Sequence, residues 1–396
     1  MGKISINYIL WFVLILNSCS NNNPSEIVDE NKIIKIKVQG NIDNSLQIDS
    51  IFSNITAIPL ETNDACLITD ISKTIFYKDR IYIQSERSRL FVFDTLGNYL
   101  FTIGRKGRGP GEYNVLRDFD IDKYGRIFIL DFLKILEYSA DGSLIKNYPF
   151  HFTPKDKLII NPIQFSISND DNFFIWGGSF SIESNPNNSL TIMYKMSQSG
   201  QIMNKYFPLN YKLASETNQF KRFKDNILID PIFGSNIIYS INKDDKVEAK
   251  YEIDFGKKNL DKEIPSNFET LSEFKENIDL GYYHTVSGFC ETDEWIYFRF
   301  LNDHHFYNVY YSKILQKSFI SKPYPRVSGR IAPWIINGFF DDKFISFIEP
   351  MILNQDVEHI DSSKVSNHEK KIFKKIIKKI EPTNNPVLFI CSMKQY

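Results

Sequence analysis

Six times along this 396-residue chain a turn residue introduces a short polar step and then a strand-like apolar run. The copies are Asp79-Arg80-Ile81-Tyr82-Ile83, Gly125-Arg126-Ile127-Phe128-Ile129, Asp171-Asn172-Phe173-Phe174-Ile175, Asp225-Asn226-Ile227-Leu228-Ile229, Asp293-Glu294-Trp295-Ile296-Tyr297-Phe298 and Asp342-Lys343-Phe344-Ile345-Ser346-Phe347. Their turn residues stand 46, 46, 54, 68 and 49 positions apart. Asp and Gly tolerate tight-turn backbone, and β-branched and aromatic runs suit buried strands. A hairpin signal follows most copies: Phe91 to Gly97, Leu136 to Gly142 and Tyr194 to Gly200, with weaker versions at Ile238 to Asp245 and Val309 to Gln316. Four strands per repeat of about 50 residues is the arithmetic of a propeller blade. The expected fold class is therefore all-β, a six-bladed β-propeller. A pair of β-sandwiches would need a Pro/Gly/Ser-rich divide, and none is present.

The sixth copy stops short. After Pro386-Val387-Leu388-Phe389-Ile390-Cys391 too few residues remain for an outermost strand, and an unpaired edge would invite association. The strand-like run Ile33-Ile34-Lys35-Ile36-Lys37-Val38 has no hairpin partner and is expected to close the ring. Two helical insertions interrupt the repeat. Ser266-Asn267-Phe268-Glu269 is a capping box ahead of Leu271, Phe274 and Ile278 at helical spacing. Asn367 to Ile380 places Ile372, Phe373, Ile376, Ile377 and Ile380 on one face and six lysines between Lys370 and Lys379 on the other. That helix either packs on the propeller with a solvated lysine face or lies on an anionic membrane.

The N-terminus reads as an address. Lys3 and the apolar run Tyr8 to Leu16 suit a signal peptide, and the run is too short to span a bilayer. It ends at Leu16-Asn17-Ser18-Cys19, which resembles the lipobox of bacterial lipoproteins. That resemblance implies cleavage before Cys19, lipidation of Cys19 and attachment to a lipid membrane; Ser20 after it fits the outer membrane. The expected organisation is a signal peptide over 1–18, a lipidated Cys and polar tether over 19–32, and the propeller over 33–396.

Phe91-Val92-Phe93-Asp94-Thr95-Leu96-Gly97-Asn98-Tyr99-Leu100, followed by Gly104 and then Gly107-Arg108-Gly109-Pro110-Gly111-Glu112-Tyr113, resembles the six-bladed β-propeller lipoproteins of Bacteroidetes. Ile58-Pro59-Leu60-Glu61-Thr62 and Asn385-Pro386-Val387-Leu388 match the same family, and the likeness runs from Ile33 to Lys394. It implies the fold and a cell-envelope location, and leaves activity unassigned.

Candidate sites are few. Arg105, Lys106 and Arg108 put three cations into a glycine-rich inter-blade loop that could receive a carboxylate or phosphate. The loop lacks the Gly-Lys-Ser/Thr of a nucleotide-binding loop, so its glycines also read as purely conformational. Asp118, Asp120 and Asp122 alternate with Phe119 and Ile121, which on a strand puts the acids on one face, solvated or toward the axis. Trp176 and Trp334 lie in loop-like contexts and are either ligand platforms or inter-blade packing. No His pair has metal-ligand spacing, no cofactor motif occurs, and a balance of 47 basic to 48 acidic residues argues against nucleic acid. Cys66, Cys290 and Cys391 allow one disulfide or buried thiols.

The expectation is a lipid-anchored binding or scaffold module for a peptide, glycan or envelope-protein partner, with Arg105, Lys106, Arg108, Trp176 and Trp334 as its ligand-facing residues. The alternative is a metal-dependent propeller enzyme, a hydrolase, lactonase or lyase, drawing on Asp118, Asp120 or His304 at the channel mouth. A third reading is a membrane-associated assembly factor using the lysine-faced helix.

Overall fold

Each of the six repeat signals forms the second strand of a blade, counted from the axis outward. The computed structural model describes residues 33–39, 50–132, 134–151, 162–177, 190–209, 219–232, 235–260, 282–303, 305–321, 336–358, 371, 374–376, 378 and 380–396. The chain opens with β1 (Ile34–Lys37) and β2 (Phe52–Pro59). Blade 1 is β3 (Lys73–Tyr77), β4 (Arg80–Ser85), β5 (Arg89–Asp94) and β6 (Tyr99–Thr102). A two-stranded ribbon, β7 (Arg105–Lys106) and β8 (Glu112–Tyr113), leads to blade 2: β9 (Asp118–Ile121), β10 (Ile127–Leu130), β11 (Lys134–Tyr138) and β12 (Leu144–Pro149). Blade 3 is β13 (Pro162–Ile167), β14 (Phe173–Gly177), β15 (Leu190–Met196) and β16 (Ile202–Leu209). Blade 4 is β17 (Phe220–Phe223), β18 (Asn226–Ile229), β19 (Ile237–Ile241) and β20 (Val247–Asp254). Blade 5 is β21 (His284–Glu291), β22 (Trp295–Asn302), β23 (His305–Ser312) and β24 (Lys317–Ser321). Blade 6 has β25 (Gly338–Phe340), β26 (Lys343–Ile348) and β27 (Val387–Met393), with helix α1 (Pro350–Glu358) inserted after β26.

Ring closure corrects one expectation. The outermost strand of blade 6 is β2, antiparallel to β27 from Phe52–Met393 through Pro59–Val387. The earlier run, β1, instead adds a fifth, parallel strand to blade 4 against β20, from Ile34–Tyr251 to Lys37–Asp254. An N-terminal strand does close the ring, but it is the second one. Its turn partner is Gly97 in the β5–β6 hairpin, at φ 90°, whose carbonyl accepts from Glu61 N–H at 2.8 Å. A Cβ there would stand 2.5 Å from the Pro59 carbonyl oxygen, which is closing-strand backbone and cannot retreat. Gly97→Ala is expected to cost roughly 2–4 kcal/mol in a denaturant melt, from left-handed strain plus overpacking.

The core is a series of inter-blade layers: the second and third strands of the blades bury both faces, while outer strands such as β6 and β12 stay partly or largely exposed. Phe91, Phe93, Ile81 and Ile83 meet Leu388 and Ile345 across the closing joint between blades 6 and 1. Between blades 5 and 6, Tyr297 and Tyr310 pack against Phe52, Phe344 and Phe389. The expected helix at Ser266–Ile278 lies outside the described residues. Of the second, Lys371 and Lys374–Ile376 are helical; Ile376 and Ile380 enter the blade 5–6 core, while Lys371, Lys374, Lys375 and Lys378 are exposed. The packed-helix reading therefore describes this segment. Cys66, Cys290 and Cys391 are buried free thiols, and burial pushes the Cys290 thiol up to about 12.

The two rims differ sharply. At one, the first-to-second and third-to-fourth strand turns are all 2 to 5 residues long. These turns also hold the blades together: Tyr77 OH donates to Lys123 O (3.0 Å), Arg126 pairs with Asp171 (3.4 Å), and Lys224 pairs with Asp293 (2.5 Å). From the other rim spring the blade-to-blade connections of 10 to 29 residues and the hairpin insertions of 12 residues after β14 and 38 after β26.

Candidate functional site

At the long-loop rim the inner strands form a buried charged belt. Lys73 on β3 holds Asp118 on β9 at 2.8 Å, and the other oxygen of Asp118 accepts from Phe165 N–H of blade 3 (2.9 Å). Asp120, on the same face, accepts from Ser166 Oγ (2.9 Å), Ile167 N–H (3.0 Å) and the Arg222 guanidinium (3.1 Å). Its second oxygen caps Ile121 N–H at 2.9 Å. Lys221 pairs with Asp230 (2.9 Å), which also accepts from Gly288 and Phe289 N–H of blade 5 at 2.8 and 3.1 Å. Burial pushes Asp118 above the ordinary carboxylate range. At Asp120 burial acts in the same direction, but the Arg222 and Lys73 charges with the Ile167 N–H outweigh it and hold that carboxyl low.

This arrangement sews blades 1 to 5 together and leaves no carboxylate oxygen of Asp118 or Asp120 without a donor. Both acids share one face of β9, as alternation predicts, but they are buried against blade 3 rather than solvated. Asp122 belongs to the other rim, where it holds Arg126 at 2.6 Å. Among the described residues no three His, Cys, Asp or Glu side chains gather as metal ligands, and His304 lies outside them.

The glycine-rich loop is built around Glu112. Its carboxylate accepts from Arg105 Nε (2.6 Å) and Gly109 N–H (2.7 Å), and these contacts hold it below its ordinary range. A Cβ on Gly107 would lie 2.0 Å from Glu112 Oε2, so the glycine makes room for the clamp. Tyr113 OH donates to Ser88 O (2.9 Å), Tyr138 OH to Gly111 O (2.8 Å), and Leu116 N–H to Arg87 O (2.8 Å). All three cations are exposed; Arg105 is tied to Glu112, whereas Lys106 and Arg108 form no ion pair among the described residues.

Arg87 joins them at the same edge and escaped the sequence reading. It sits with Glu86 in the three-residue β4–β5 turn, closed by Ser88 N–H donating to Ser85 O (3.1 Å); both are at positive φ (51° and 52°), where Asn-Gly would be the relaxed choice. Asp70 holds that turn through Glu86 N–H. Beside it Arg117 stacks on the Phe132 ring at 4.4 Å and donates to Pro162 O at 2.9 Å; burial and the Arg87 charge lower its pKa. The signal was available in Ser85-Glu86-Arg87-Ser88, a hairpin turn without glycine. Trp176 goes the other way: it is 1% exposed, packed against Phe207 and Phe220, and offers no platform. Trp334 and Cys19 lie outside the described residues.

The family model described as "Domain of unknown function (DUF4934)" matches residues 32–392. The chain belongs to this family. No curated protein matches it. Among solved structures, a protein from Bacteroides fragilis NCTC 9343 described as exported aligns with 18% identity and a TM-score of 0.72, covering 92% of this chain and 100% of its own. At that identity the likeness shows the fold, and it extends the propeller architecture to a relative of this DUF4934 chain. The extracellular domain described for a B. thetaiotaomicron hybrid two-component system (TM-score 0.38, 12% identity, 70% of this chain and 32% of that one) and Moraxella catarrhalis BamB (0.35, 12%, 74% and 70%) are more distant.

Proposed function

We propose that this DUF4934 chain is a lipid-anchored cell-envelope propeller, attached to the outer membrane through Cys19, whose long-loop rim captures a peptide, glycan or envelope-protein partner. The difference between the rims carries the binding part of this reading. Tight turns close one end, while long connections and the exposed cations Arg87, Lys106 and Arg108 gather at the other, the rim that also carries the buried charged belt. The lipobox-like Leu16-Asn17-Ser18-Cys19 supports the anchor. No helix among the described residues is long and apolar enough to cross a membrane.

The test is a thermal-shift panel of oligosaccharides and peptides on the full-length protein. A ligand at a hundredfold excess over its Kd adds about 2.7 kcal/mol of stability. Reversing Arg87, Lys106 and Arg108 to Glu is expected to abolish the shift, and reversing Lys78, Lys123 and Lys243 on the tight-turn rim to leave it. The opposite pattern would place binding on the wrong rim. In parallel, Cys19→Ala is expected to release the protein from the membrane fraction; retention there would remove the anchor.

A further inference from the structure

Blade 5 carries a polar row that nothing in the inter-blade packing answers. Ser287 on β21 stands opposite Arg299 on β22, Arg299 opposite Asn308 on β23, and Asn308 opposite Ser321 on β24. Directly opposed residues project to one face, so the four side chains form a line across the blade. That face otherwise presents Cys290, Tyr297 and Tyr310 to the apolar surface of blade 6. Ser287 Oγ, Arg299 Nε, Asn308 Nδ2 and Ser321 Oγ are each buried without a hydrogen-bond partner, and Asn308 is 0%, Ser287 3% and Ser321 3% exposed. A single buried donor left over is unusual. Here four stand in one register row.

The orientation of the amide is fixed. Ile336 N–H lies against the Tyr297 hydroxyl, which in turn donates to Asn308 Oδ1 at 2.8 Å, so Nδ2 faces the row. Arg299 forms no ion pair among the described residues. The nearby carboxylate, Asp230, is already taken by Lys221 and two blade 5 amides. Gly288 lets the guanidinium lie against the β21 backbone: a Cβ there would stand 3.5 Å from Arg299 Nε, in ordinary contact. On the rim side Phe306, partly exposed, stacks under Arg299 at 5.1 Å.

Strand β21 is bent to serve this row. Its register with β22 slips on both sides of Ser287, between His284 and Ser287 and again before Cys290. Thr285 is held at φ 53° and Gly288 at φ 66°. A β-branched residue in the left-handed region is a genuine strain, and bulges re-aim side chains next to functional sites.

From this geometry we infer that blade 5 holds a binding site for a small carboxylate, received by Arg299 and Asn308 on adjacent strands and flanked by the hydroxyls of Ser287 and Ser321. The chemistry follows from the donors. A cation and an amide N–H on directly opposed strand positions suit one planar anion, and serines on either side suit hydroxyl or amide groups next to it. A sugar acid and the C-terminus of a peptide share this chemistry. The inference deepens the binding reading above by naming a ligand class and a blade.

The test titrates the full-length protein calorimetrically with D-glucuronate and with triglycine, using D-glucose and triglycine amide as neutral counterparts. Binding of an acid but not its neutral counterpart is expected; glucuronate alone assigns a sugar acid, and triglycine alone a peptide terminus. Arg299→Met is expected to weaken binding about tenfold or more while leaving the unliganded melting temperature unchanged or higher, because the buried Nε it removes has no hydrogen-bond partner to lose. Asn308→Asp keeps the side-chain shape and the Tyr297 bond but repels the anion, so it should lose binding too. Silence with both acids, or equal binding by wild type and Arg299→Met, overturns the site. If a ligand from the oligosaccharide and peptide panel is still lost on reversing Arg87, Lys106 and Arg108, the rim reading survives that failure.

Discussion

Replacing Glu291 by Gln is expected to lower stability by about 3–5 kcal/mol at neutral pH, measured by denaturant unfolding with melting temperature as a second readout. Glu291 ends the inner strand of blade 5 at the tight-turn rim and is 2% exposed. Lys250 from blade 4 reaches one of its oxygens at 2.8 Å; Lys313 (2.7 Å) and Tyr251 OH (2.6 Å) reach the other. The carboxylate therefore joins two blades and neutralises two cations that would otherwise face each other. A neutral amide keeps the volume but leaves both ammonium groups short of a counter-charge, which is why the loss exceeds that of a surface pair.

The same group sets a pH signature. Burial opposes ionisation of Glu291, but the Lys250 and Lys313 charges and hydrogen bonds outweigh it and hold the carboxyl below its ordinary value. Its contribution is present above the unfolded value of about 4.3 and fades as pH falls through the folded one. The gap between wild type and Glu291→Gln should therefore close on acidification below about pH 4. A gap that stays constant down to that range would mean that the loss comes from packing and not from charge.

What the sequence disclosed, and what it hid, divides along the range of the interactions. Turn–strand signals such as Asp171-Asn172-Phe173 are local, and each became a second blade strand because turn chemistry and alternation need no distant partner. Glu112 illustrates the middle case. Its motif was visible, but only the fold reveals that the carboxylate is spent on Arg105 and Gly109, leaving Lys106 and Arg108 as the free cations of that loop. Trp176 read as loop-borne because glycines follow it, yet it closes β14 inside the blade 3–4 layer. The blade 5 row was not legible at all: Ser287, Arg299, Asn308 and Ser321 come from four strands, and the bulges that align them follow no spacing rule.

The sharpest consequence concerns the two N-terminal strands, which differ in role. Deleting residues 50–60 is expected to abolish the cooperative melt followed by circular dichroism. That deletion takes away β2, exposes the edge of β27 and uncovers Phe344 and Phe389, which pack beneath Ile51, Phe52 and Ile55. A ring cannot tolerate this locally, because blade 6 without its outer strand no longer meets blade 1 across Leu388, Ile345 and Phe91. Replacing Ile34–Lys37 by a Gly/Ser tetrapeptide should do far less. It removes a parallel edge strand from an already four-stranded blade and withdraws Ile36 and part of the cover at Val38, about 3–5 kcal/mol of burial at most. The ring should still melt as one transition, at lower temperature. If that replacement unfolds the protein and the deletion of 50–60 is tolerated, the closing strand has been misassigned.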